Sequence, residues 1–122
     1  MPKPREYRLV WGKFLVKDDY EKLDPSIQRL VKGQFRKLKE KPQLEASLAY
    51  GITERGVFHG LNGHKMGYDL TGYRSLHFYG NKYRIIYEIV ESEKKVRIWG
   101  IGKRERGRVY RMVHERVRES EK

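Results

Sequence analysis

The stretch that most constrains this 122-residue chain is residues 73–90, where two alternating runs flank Gly80-Asn81. That dipeptide suits a two-residue hairpin turn. With Gly80 and Asn81 as the loop, Tyr79 pairs with Lys82. The count then runs back through Phe78 against Tyr83, His77 against Arg84, Leu76 against Ile85, Ser75 against Ile86 and Arg74 against Tyr87. One face of the hairpin is apolar, with Leu76, Phe78, Tyr83, Ile85, Tyr87 and Ile89. The other carries Ser75, His77, Tyr79, Lys82 and Arg84, broken only by Ile86, and sets an imidazole across from a guanidinium.

Other elements follow from period and punctuation. Residues 7–16 are rich in Tyr, Leu, Val, Trp and Phe, as a first strand would be, and residues 18–23 read as a short helix. Asp24-Pro25 has the form of an N-cap followed by proline at the first helical position, and Ile27, Leu30, Val31, Phe35 and Leu38 follow at helical spacing until Pro42. Residues 43–72 hold six glycines and a weak pattern, which predicts a long connection with at most brief regular structure. Residues 96–101 form a further strand, and only Glu91-Ser92-Glu93-Lys94-Lys95 links it to the hairpin, too little for a parallel crossover. It must return antiparallel. Beyond Gly102, Val109, Met112, Val113 and Val117 mark a C-terminal helix. The order predicts one α+β domain over residues 1–122, with helices packed on an antiparallel sheet.

Charge narrows the partners. Lys and Arg number 28 against 16 Asp and Glu, a formal +12, and residues 74–118 hold +8 of it. Such an excess favours a polyanion, nucleic acid before a membrane surface. There is no cysteine, which removes disulfide scaffolds, thiol nucleophiles and the common zinc-ribbon sets and fits a reducing cytoplasm. No apolar run approaches bilayer length, and Met1-Pro2-Lys3-Pro4-Arg5 has no apolar stretch of the signal-peptide kind, so a cytoplasmic location is expected. His59 and His64 lack a recognised metal-ligand spacing, so no metal and no cofactor is expected.

At about 100° per residue, Val109, Val113 and Val117 make the apolar stripe of the last helix and Tyr110 lies at its border, a position that also suits a core-edge tyrosine with its hydroxyl at the rim. Arg104 sits at the strand-to-helix junction and Arg106 in the first turn beyond it. Tyr83-Arg84-Ile85-Ile86-Tyr87, then Gly102-Lys103-Arg104-Glu105-Arg106, then Val109-Tyr110 resembles, in order and spacing, the C-terminal block of RelE toxins. The resemblance extends more loosely through Leu70-Thr71-Gly72-Tyr73-Arg74 and residues 20–42.

That resemblance implies a four-stranded antiparallel sheet with two N-terminal helices and one C-terminal helix. It also implies a metal-independent endoribonuclease that cleaves mRNA in the ribosomal A site, inhibits translation and is held by a cognate antitoxin. Arg84, Arg104 and Tyr110 match active-site positions. The family's paired strand lysines fall on Ser75 and His77, so the usual basic pair is absent, and base duty passes to His77 or Tyr110. Arginine forks suit phosphate oxygens, and Arg84 opposite His77 should favour the neutral imidazole that accepts a proton. Tyr110 would serve as base only where surrounding cations favour its phenolate. Arg74, Lys65, Lys82, Lys103 and Arg106 are candidate RNA contacts, and Arg108, Arg111, Arg116 and Arg118 invite an acidic antitoxin segment. A ParE-like gyrase inhibitor with the same fold, or a non-catalytic RNA- or ribosome-binding protein, are the alternatives.

Overall fold

The computed structural model describes residues 6–12, 15–44, 46–47, 50–53, 56–59, 65–66, 68–70, 72–105 and 108–120. The expected hairpin is present in the expected register. Strand β7 (Arg74–Phe78) pairs with β8 (Tyr83–Val90), Arg74 against Tyr87 through Phe78 against Tyr83. Gly80 and Asn81 take φ of 60° and 65°, the left-handed pair that matches the twist of the strands, and the Lys82 amide donates to the Tyr79 carbonyl at 3.1 Å. Tyr79 also has a positive φ, 54°. This breaks the alternation: its ring leaves the His77 face and lies 6.0 Å from that of Tyr83.

Strand β9 (Lys95–Lys103) returns antiparallel along β8, as the short link requires, with an irregularity opposite Ile86 and Tyr87. The sheet as a whole is mixed, not antiparallel, and has five strands rather than four, in the order β1-β9-β8-β7-β2. β1 (Arg8–Trp11), shorter than residues 7–16, pairs parallel with β9. The chain between them includes a π-helical turn (Leu15–Tyr20) and helix α1 (Pro25–Glu40), ample length for a parallel placement that a hairpin link cannot make. The π-helical turn replaces the short helix expected over residues 18–23. Residues 43–72 carry more order than a connection: β2 (Ala46–Ser47) extends the main sheet beside β7. Strands β3 (Tyr50–Thr53), β4 (Gly56–His59), β5 (Lys65–Met66) and β6 (Tyr68–Asp69) form a second sheet in the order β5-β4-β3-β6. Strands of two to four residues are too short to show a period in sequence.

The main sheet is covered on both faces. On one, Ile27, Val31 and Leu38 of α1 pack with Leu76, Phe78, Ile85, Tyr87, Ile98 and Ile101. Leu30, counted with the apolar stripe, is exposed. On the other face, helix α2 (Arg108–Ser120) sets Val109, Tyr110, Val113 and Val117 against Ile86, Trp99 and Leu70. The polar strip of the hairpin is therefore open only near the turn, for Ile86 and Ser75 lie under cover.

Two features seat α2. A Cβ on Gly100 of β9 would stand 2.5 Å from Val113 Cγ2 and 2.9 Å from Met112 Cε, so the helix lies against bare backbone there. Arg116, expected to be free for an acidic partner, instead forks onto Asp19 of the π-helical turn: Nη1 to Oδ2 at 2.8 Å and Nη2 to Oδ1 at 2.7 Å. Arg116 Nη1 also donates to the Trp99 carbonyl at 2.9 Å, and the Ile101 amide donates to Asp19 Oδ2 at 2.9 Å. Gly100→Ala should cost about 1–3 kcal/mol in chemical denaturation, the range for an overpacked site, because Val113 is fully buried and cannot give way. Unchanged stability would mean that α2 shifts freely on the sheet.

Candidate functional site

The site is built where the turn end of the hairpin meets the first turn of α2. Alternation along β8 directs Arg84 to the α2 face, where Gly102 opposite it presents no side chain to compete for the space. Arg84 as a residue is 5% exposed, and its guanidinium is held at three points: Nε donates to Tyr110 Oη at 3.3 Å, and Nη1 donates to the Asn81 carbonyl at 2.6 Å and the Tyr83 carbonyl at 3.2 Å. All three acceptors are neutral. Among the described residues no carboxylate pairs with Arg84 and Nη2 has no acceptor, whereas two other acids on this side, Asp19 and Glu88, are engaged by Arg116 and by Arg97 with Trp99. A nearly buried cation held only by neutral oxygens is a site that an anion would complete.

His77 stands directly across from Arg84 and is exposed. Desolvation by its surroundings first, then the charges of Arg84 and Arg104, hold its imidazole below the usual value of 6.5. This is the direction expected from the register, with Arg104 as an added source. Arg104 is itself exposed at the end of β9, and its amide donates to the Lys82 carbonyl at 3.0 Å, which extends the ladder and ties the helix junction to the turn. Tyr110 is 8% exposed, with its hydroxyl on Arg84. Thus His77, Arg84, Arg104 and Tyr110 are brought together.

The RNA-contact candidates divide. Lys82 and Lys103 join Arg104, Tyr79 and Tyr83 around a cleft of about 600 Å³ at the hairpin tip, with Glu105 its one acid. Arg74 lies at the other end of β7, on the α1 face, where its Nη1 reaches the Gln43 carbonyl at 3.2 Å. It does not join the cluster. Lys65 lies on β5 in the second sheet, and its side chain, like the whole of Arg106, falls outside the described residues. Ser75, one of the two positions matching the strand lysines, is buried with its Oγ unpaired among the described residues, so it faces helix rather than substrate. Sequence reasoning missed the Asn81 carbonyl as an anchor and Tyr79 as a cleft wall. The turn dipeptide pointed to the first; nothing in the alternation pointed to the second. Among the described residues no three His, Asp or Glu side chains converge as metal ligands, and no helix is long and apolar enough to cross a membrane.

No family model matches the sequence, and no curated protein does. Solved structures do. A doubly substituted E. coli toxin RelE in the free state superposes with a TM-score of 0.63 over 92% of this chain and 98% of its own, at 19% identity. The chain has the RelE fold. The RelBE2 toxin–antitoxin complex from Mycobacterium tuberculosis matches with a TM-score of 0.56 over 80% of this chain and 98% of that one, at 19% identity. E. coli RelE in complex with an antitoxin RelBc peptide matches at 0.55 over 86% and 90%, at 20% identity. The fold is therefore as expected in class, while the sheet is mixed rather than antiparallel and a π-helical turn stands in place of the first of the two N-terminal helices.

An NMR titration of His77 should give a midpoint below 6.5, and Arg84→Ala should move it upward without reaching 6.5, because desolvation and Arg104 remain. A midpoint at or above 6.5 in the native chain would contradict the clustering.

Proposed function

We propose that this chain is the toxin of a type II toxin–antitoxin pair, an endoribonuclease that cuts mRNA in the ribosomal A site. The observation that carries the reading is Arg84, a buried arginine whose guanidinium has only neutral partners and a spare Nη2 among the described residues, next to His77, Arg104 and Tyr110. Cleavage of an RNA strand by its own 2′-hydroxyl needs a base for that proton, positive charge for the phosphorane and a proton for the departing 5′ oxygen. His77, neutral at pH 7, takes the 2′ proton. Arg84 and Arg104 hold the phosphate oxygens. The Tyr110 hydroxyl, positioned by Arg84 Nε, serves the leaving oxygen. The products are a 2′,3′-cyclic phosphate and a 5′-hydroxyl, with no metal step.

A domain this small presents few groups to align an RNA strand, and the ribosome supplies that alignment. The similar structures of RelBE2 and of RelE with a RelBc peptide support an antitoxin as partner. Arg108, Arg111 and Arg118 are exposed on α2 for an acidic segment, which would disable the enzyme by covering the cleft or lifting the helix that carries Tyr110.

The decisive assay is a translation extract programmed with a defined mRNA. In-frame cuts at the A-site codon are expected, and intact mRNA with full translation would remove the proposal. Arg104→Ala and Tyr110→Phe should each slow cleavage about 100-fold or more while remaining folded. The rate should fall as pH drops through the His77 midpoint, below 6.5, because protonation removes the base, and His77→Gln should abolish that acid limb.

A further inference from the structure

Tyr79 is an anomaly of the hairpin tip. It is the most exposed large apolar side chain among the described residues, at 52%, and it holds φ of 54°, a conformation that suits glycine or asparagine better than tyrosine. The unfavourable backbone turns its ring out of the strand pattern and onto a column of aromatics. Tyr79 lies 6.0 Å from Tyr83 at 55°, and Tyr83 stacks on buried Phe78 at 5.6 Å and 30°. The column runs from the core to the open cleft. Lys82 Nζ stands 5.6 Å from the Tyr79 ring centre, and Lys103 and Arg104 line the same cleft. A core-anchored but exposed ring with cations around it is the combination by which proteins hold unpaired nucleic-acid strands: bases stack on the ring and phosphates meet the cations.

We propose that this cleft is a nucleobase subsite in which one unpaired base of single-stranded RNA stacks on Tyr79 while Lys82, Lys103 and Arg104 hold its phosphates. Arg104 belongs to both places, since its charge also reaches His77, so the stacked base belongs to a nucleotide flanking the cleaved phosphodiester. The placement of that base rests on the nuclease reading above; the subsite itself does not. Stacking on an aromatic ring is tolerant of base identity, so Tyr79 sets where the strand lies more than which sequence is bound.

The test is titration of the purified chain with a single-stranded RNA hexamer carrying 2′-methoxy groups, which cannot be cut, observed at the tyrosine ring signals by NMR. Ring shifts at Tyr79 and Tyr83 are expected, together with about a 10-fold loss of affinity in Tyr79→Gly and little change in Tyr79→Phe or Tyr79→Trp. Glycine suits the positive φ, so Tyr79→Gly should remain folded, and its thermal midpoint is read alongside. Equal affinity in Tyr79→Gly, or a titration that leaves the Tyr79 ring unmoved, would overturn the subsite. Cleavage of ribosome-bound mRNA by the same proteins separates the two claims. Binding with ring shifts but no cutting by the native chain sinks the nuclease and leaves the subsite standing, whereas cutting at the native rate with no ring contact does the reverse.

Discussion

The arrangement of this molecule depends on the contact between Asp19 and Arg116, two residues 97 positions apart. Asp19 is 4% exposed, and taking a carboxylate and a guanidinium out of water is costly unless both are fully satisfied. Here they are: the fork is bidentate, the Ile101 amide takes a carboxylate oxygen and the Trp99 carbonyl takes an Arg116 proton. The pair therefore joins the π-helical turn, the irregular stretch of β9 and α2. Half of it left alone would cost about 3–5 kcal/mol, which makes it a strong determinant of where the helix sits and a weak source of net stability.

Once α2 is fixed, the site follows. Val109 lies over Gly102, and the next residue, Tyr110, meets Arg84 on that same face of the sheet. The same clamp neutralises Asp19, and Arg97 with Trp99 occupies Glu88. Among the described residues no carboxylate pairs with Arg84. The fold creates a demand for an anion and then places an imidazole of lowered basicity next to it.

How much of this was legible in the sequence varied with the range of the interaction. The hairpin register could be read residue by residue, because a period of two and a turn dipeptide are both local, and the His77–Arg84 opposition came with it. Helical spacing puts Tyr110 only at a helix border, and the resemblance to RelE toxins is what sets it with Arg84; their meeting, 26 residues apart, depends on tertiary packing. The parallel pairing of β1 depends on which edge of the sheet is free, and β3 to β6 are too short to announce themselves. Arg116 looked like a surface cation because its helical neighbours are charged, and nothing near Asp19 marked its partner. Alternation puts Tyr79 on the His77 face because it assumes extended backbone, and the φ of 54° at Tyr79 is not extended.

In the proposed cleavage reaction the clamp acts through the helix, by setting Tyr110 against Arg84. A double-mutant cycle on single-turnover mRNA cleavage by ribosome-bound protein, with Asp19→Asn and Tyr110→Phe separately and together, tests it most directly at a temperature where all the variants are folded. Asp19→Asn should slow the native chain strongly and the Tyr110→Phe chain hardly at all, since the helix would then have no hydroxyl left to misplace. Losses that simply multiply would contradict the account, for the clamp would then be acting on the reaction by some route other than Tyr110.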